Sequence, residues 1–140
     1  MDVIRNGEIQ QAFTQTGRVY LCGNLQKENG IRHIKTEAYE IGISRYPVFS
    51  CDKPHYHTFN TEYNYVLEGE VKILLLNEKK EYVFHAGDLY VININEPYAT
   101  KSQAGTKIIF SKVPGGNDKV LVTIDDVLLS WEKDWDSEYK

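Results

Sequence analysis

Two histidines stand one residue apart at His55 and His57, and a glutamate follows at Glu62. On an extended chain side chains alternate between faces, so His55 and His57 point to the same side of a sheet. Two imidazoles placed that way can bite a single metal ion. Glu62 comes five residues after His57, enough for the chain to turn and begin the neighbouring strand. Its carboxylate then completes a two-histidine, one-carboxylate set, a donor type that suits a divalent ion such as Fe, Zn, Mn or Ni. A His-x-His pair close to Pro54 is also what a polar loop looks like. The glutamate and the glycine downstream, Gly69, favour ligation.

The elements that must hold these residues read as strands. Val19 to Cys22 is a short β segment ending at Gly23-Asn24, and a turn is expected at Glu28-Asn29-Gly30. Ile34 to Phe49 is rich in β-branched and aromatic residues. Tyr63 to Leu67, Val71 to Leu76, Tyr82 to Phe84, Leu89 to Ile92, Ala99 to Ser102, Lys107 to Val113 and Val120 to Ile124 follow, separated by turns such as Glu68-Gly69-Glu70 and Ala86-Gly87-Asp88. One helix is predicted, over about 126–136, capped by Asp125 or Asp126 and carrying Val127, Leu128, Trp131 and Trp135 as an apolar stripe. That stripe predicts a lid packed on a barrel. Many short, evenly spaced strands imply a β-sandwich or barrel, and no linker or repeat divides residues 1–140, so a single domain is expected.

The chain has 140 residues, a net charge of -4 and 26% charged residues. The lysines are scattered, without the basic stripe that phosphate binding requires, so nucleic acid and anionic membrane are poor partners. No apolar run approaches the ~20 residues that span a bilayer. With no secretory signal in Met1 to Asn6, and with Cys22 and Cys51 expected as buried, reduced thiols, the expected address is cytoplasmic.

The segment His55 to Gly69 resembles the first motif of the cupins, with His55, His57, Glu62 and Gly69 in place. A second motif begins at Gly87-Asp88, with seventeen residues between Gly69 and Gly87, as in compact members of that family. The resemblance covers about 49–102. It implies an all-β, single-domain double-stranded β-helix of the jelly-roll type, with its barrel core over about 36–113 and the short helix at the C-terminus. There are departures. Phe49 replaces a glycine ahead of the first motif, Asn93-Ile94-Asn95 replaces Pro-x-Gly, and Ser102 replaces a late asparagine. At the family's fourth metal ligand, a histidine, this sequence has Tyr98, preceded by Pro97. Tyr98 has three readings: a phenolate ligand, a residue that stands back from an open three-ligand metal site, or a hydroxyl that serves a bound molecule where metal affinity has been lost.

If Tyr98 faces the interior, Thr100 and Ser102 share its face, and Glu62 brings Asn64 and Val66 inside by the same alternation. The lining suits a polar small molecule, a sugar or an organic acid. Arg45 is a candidate for pairing with an acid group on it, or else a solvated outward residue. His85 is expected at the surface, Cys51 as a structural thiol, and Pro114 to Asp118 as a turn without phosphate-loop context. Tyr63, Tyr65, Tyr82 and Tyr90 are expected to serve sheet packing. What the resemblance implies about function is a metal-dependent enzyme (isomerase, oxygenase or lyase) using His55, His57 and Glu62 for the metal and Tyr98 in catalysis. The alternative is a binding module with a weakened or lost metal site. A homodimer is also implied, formed through the sheet edge near Val19 to Cys22.

Overall fold

The computed structural model describes residues 1–26 and 30–140. Glu28 and Asn29 of the expected turn lie outside the described residues. The elements in chain order are α1 (Asn6–Phe13), β1 (Arg18–Gly23), β2 (Ile34–Lys35), β3 (Glu40–Tyr46), β4 (Ser50–His57), β5 (Thr61–Glu68), β6 (Glu70–Leu75), β7 (Lys80–His85), β8 (Leu89–Ile92), β9 (Tyr98–Ser102), β10 (Thr106–Val113), β11 (Lys119–Leu121) and α2 (Asp126–Glu132). They form two sheets, ordered β2-β1-β3-β10-β5-β8 and β11-β4-β9-β6-β7. Pairing is antiparallel except between β1 and β2. This is the double-stranded β-helix expected, all-β with a short C-terminal helix.

Period-two alternation decides which side chains face the space between the sheets. On β5, Glu62, Asn64 and Val66 are buried while Tyr63, Tyr65 and Leu67 are exposed. One end of the interior is an apolar core of Val66, Val71, Ile73, Tyr90, Ile92, Tyr98 and Ile108. The other end stays polar and holds the candidate site. Gly69 makes the β5–β6 turn with φ +82°, and a Cβ there would lie 2.6 Å from Thr106 Cα. Only glycine accepts both the left-handed backbone and that approach. The Thr106 hydroxyl uses the space, donating to Glu70 O at 2.9 Å and accepting from Glu70 N at 3.1 Å.

Two elements cover the outsides of the sheets. Half of the C-terminal stripe packs as expected: Leu128 and Trp131 of α2 are buried against Leu74 and Ala99, whereas Val127 is exposed and Trp135 lies beyond the helix. Each such side chain contributes about 1.5–3 kcal/mol by its burial. Asp125 Oδ1 caps α2 by accepting Leu128 N–H at 2.8 Å, as predicted, although the helix ends at Glu132, short of the expected 136. Lys101, on the outward side of β9 and fully buried, fastens the segment beyond α2. Its ammonium donates to Trp131 O and Asp134 O at 2.8 Å and to Ser137 O at 2.9 Å. Three carbonyls satisfy its three donors, which is what permits an ammonium to be buried there.

The second cover, α1, corrects the prediction of a single helix. Its Ala12 and Phe13 are buried with Val19 of β1 against the outer face of the first sheet. Eight residues with Gly7 in the first turn carry too little periodicity to stand out. The edge expected to recruit a second copy is partly taken, because Cys22 and Gly23 pair with Ile34 and Lys35 of β2. Cys22 and Cys51 are free thiols, half-buried rather than buried. Among the described residues no helix is long and apolar enough to cross a membrane.

Candidate metal centre

β4 delivers His55 and His57 to the interior, β5 delivers Glu62, and β9 delivers Tyr98, which pairs in register with His55. One ligand atom from each of His55, His57 and Glu62 lies within 4.8 Å of the others, and all three residues are buried. Strand alternation and the β4–β5 turn thus bring together what the sequence spacing suggested.

Both imidazoles are oriented from behind. His55 Nδ1 sits 2.6 Å from Lys53 O, and His57 Nδ1 sits 2.7 Å from Asp118 Oδ1. Each partner is an acceptor, so Nδ1 carries a proton in both rings and Nε2 is the nitrogen turned toward Glu62 and Tyr98. Donation from the far nitrogen of a histidine to an oxygen is how metal-ligating histidines are fixed in orientation and tautomer. His57 Nε2 is buried, lies 3.3 Å from Glu62 Oε2 and makes no hydrogen bond. A buried nitrogen without a partner among carboxylate and hydroxyl groups fits a cation-binding position. The donor set therefore fits a divalent metal.

Asp118, in the turn read only as lacking phosphate-loop context, is a site residue that the sequence did not single out. Its Oδ2 accepts the Phe59 and Asn60 N–H groups, both at 2.8 Å, and Asn60 Nδ2 in turn donates to Gly116 O at 3.0 Å. The β4–β5 turn and the segment before β11 are thereby locked to the back of His57.

Charge in the site follows from burial and neighbours. Burial lowers the His55 pKa to about 4, so that ring is neutral. For His57 burial also works downward, but Glu62 and Asp118 outweigh it and the pKa is raised. Burial would raise the Glu62 pKa, yet His57 and Lys112 bring it down to about 2. Burial, reinforced by Glu62, pushes the Tyr98 phenol well above its ordinary value. Its hydroxyl donates to Glu62 Oε2 at 2.9 Å and lies 2.9 Å from His55 Nε2, bridging two of the three ligands.

The cavity beside this centre is lined also by Asn64 and Thr100, as expected, and by Arg18, Asp52, Lys112 and Lys119. Ser102 shares the face of Thr100 but lies deeper, among buried residues and outside the cavity lining. Of the two readings of Arg45 the outward one holds, and the ligand-binding one does not, with the side chain packed instead of solvated: it donates to Phe13 O at 2.8 Å and lies over the Phe13 ring at 4.8 Å. Arg18 is the arginine at the cavity, with Nε donating to Ser44 Oγ at 2.9 Å. Tyr90 is buried and stacks on Phe84 with centroids 4.6 Å apart, whereas Tyr63 and Tyr65 remain exposed. His85 stands at the surface near Glu70 and Asp88.

Residues 46–110 match the family model of the Cupin domain. Together with the two-sheet fold, this match identifies residues 46–110, just under half of the chain, as a cupin domain. Among solved structures it is similar to an uncharacterized conserved protein with a double-stranded β-helix domain from Klebsiella pneumoniae, with a TM-score of 0.56 and 17% identity over 69% of this chain and 84% of that one. The polyketide cyclase RemF from Streptomyces resistomycificus gives 0.54 and 17% over 69% and 68%. KdgF from Halomonas sp. gives 0.53 and 18% over 59% and 74%. At these identities the likeness is one of fold. No curated protein matches the chain by sequence.

Proposed function

We propose that the protein is a metal-dependent enzyme acting on a polar small molecule, with sugar derivatives and organic acids as the substrate classes. The observation that carries this reading is the pair of Nε2 atoms, each ring held from behind by an oxygen acceptor, converging with the Glu62 carboxylate. His55, His57 and Glu62 hold the metal, which when bound supplies Lewis-acid polarisation of a substrate oxygen or activation of a water. Asp118 and Lys53 O keep the two imidazoles in the ligating tautomer. Tyr98, protonated and touching two ligands, is placed to hold or pass a proton at its Oη. Asn64 and Thr100 offer amide and hydroxyl groups to a polar substrate. Cupin folds solved for a polyketide cyclase and for DMSP lyases support small-molecule chemistry on such a barrel without choosing the reaction.

One observation favours a second reading, a non-catalytic binding module: the Tyr98 hydroxyl already satisfies Glu62 and contacts His55. Substituting His55 by alanine discriminates between them. The enzyme loses metal and turnover together, as followed by the ligand-field absorption of cobalt(II) titrated into the protein. The binding module keeps its fold and its ligand and never shows that absorption. The proposed protein is cytoplasmic and homodimeric, and light scattering tests the second point by returning twice the chain mass.

A further inference from the structure

The cavity beside the metal centre is small, about 30 Å³. That is room for an ion with a solvent molecule or for the end of a ligand. Outside it lies a cleft of about 960 Å³, lined by Gln15, Tyr20, Glu40 and Asn117 among others, and Arg18 lines both spaces. A ligand of ordinary size therefore places only a terminal group inside.

Charge decides what that terminal group is. Three cations line the inner cavity, Arg18, Lys112 and Lys119, against two carboxylates, Asp52 and Glu62. Arg18 Nη2 lies 3.7 Å from Asp52 Oδ2, and Lys112 Nζ lies 3.9 Å from Glu40 Oε2. Asp52 is held further by the Tyr46 hydroxyl at 2.8 Å, and Asp118 is committed to His57 and two backbone amides. Lys119 has no acidic partner for its ammonium among the described residues. It pairs in register with His57, so its side chain starts beside a metal ligand and reaches the mouth of the cavity. Lys119 is exposed, and an ammonium outside any ion pair at the edge of this cavity, beside a site that takes a divalent ion, favours a negatively charged ligand. A planar carboxylate fits the narrow inner space.

We propose that Lys119 binds the carboxylate of a small organic acid and that this group sits between the Lys119 ammonium and the metal centre. The inference rests on the proposed metal site for one side of that grip and on Lys119 alone for the other. Arg18 and Lys112 set the field at the mouth.

The test titrates acetate and its neutral isostere acetamide into zinc-treated and metal-free protein, followed by backbone amide NMR shifts. Acetate is expected to bind at least about tenfold more tightly than acetamide, the worth of one charge-assisted hydrogen bond. Lys119→Gln should weaken acetate binding about tenfold with zinc still bound and erase its advantage over acetamide in the metal-free protein, while Lys107→Gln, at a lysine paired with Glu68 outside the cavity, should leave both unchanged. If no zinc binds, Lys119-dependent acetate binding to the metal-free protein still upholds the proposal while the metal reading fails. Equal binding of acetate and acetamide overturns it. So does an acetate affinity unchanged by Lys119→Gln in a folded protein, or the absence of acetate binding in both forms.

Discussion

Replacing Asp118 by asparagine should weaken the metal centre without touching a ligand. The carboxylate accepts three hydrogen bonds, from His57 Nδ1 at 2.7 Å and from the Phe59 and Asn60 amides at 2.8 Å. An asparagine has one acceptor oxygen in place of two. If that oxygen serves the backbone amides, its NH₂ meets His57 Nδ1, which must then accept, and the proton moves to Nε2, where the metal should be. If the oxygen serves His57, the NH₂ faces two backbone donors. Either arrangement costs about 1.5–3 kcal/mol of stability, the value of a hydrogen bond to a charged group. Loss of such a partner behind a ligating histidine weakens metal binding about 10–100-fold, or about 1.4–2.7 kcal/mol. The pH dependence follows the same residue. Burial opposes the charged form, but the Phe59 and Asn60 amides and His57 hold the Asp118 pKa below its ordinary value. A depressed carboxyl contributes stability above its unfolded-state pKa of about 3.9, and that contribution is lost as pH falls through the lower folded value. The variant should therefore lose part of the parent's acid-range stability dependence. The assay is competition for zinc against a chromophoric chelator, with thermal melts at several pH values. A folded Asp118→Asn protein with parent-like zinc affinity would refute the reasoning.

Tyr98→Phe removes the hydroxyl that occupies Glu62 and contacts His55, so zinc affinity in the same competition should rise about tenfold. A loss of zinc instead would make the phenolate a ligand. Lys101→Met leaves three carbonyls without their donor and should cost about 3 kcal/mol, read as a lower melting temperature and faster proteolysis after α2. An unchanged melt would show that the lysine does not fasten the segment. Burial, with Glu132 nearby, raises the Cys51 thiol to about 11. At pH 8 its thiolate fraction is then roughly a hundredfold below that of an ordinary cysteine, so iodoacetamide should label it slowly in the folded protein and readily after unfolding, by mass spectrometry.

The barrel was legible because alternation and turn residues recur along most of the chain, and the ligands because His55, His57 and Glu62 are close in sequence on adjacent strands. Arg45 stayed open between two readings for a physical reason. It shares its side of β3 with Ile41 and Ile43, the apolar side, which ordinarily means the core. In this barrel the interior end is polar, with Glu40 and Ser44 buried there, and the apolar side is covered from outside by α1. Without α1 in view, the parity of that strand had no anchor. Asp118 and Lys119 were invisible for another reason. They reach the site only because β11 pairs with β4, about sixty residues away in sequence, in a register that no local pattern sets. A polar turn just ahead of an apolar strand was the only available signal, and it did not say which strand it would join.

Metal content tests the central claim most directly, measured by elemental mass spectrometry on untagged protein beside a His57→Ala control. The account expects about one equivalent of Fe, Zn, Mn or Ni, as a single site of three protein ligands holds, and its loss in the control. Parent protein without stoichiometric metal, even after reconstitution, would contradict the metal centre and leave the barrel as a small-molecule binder.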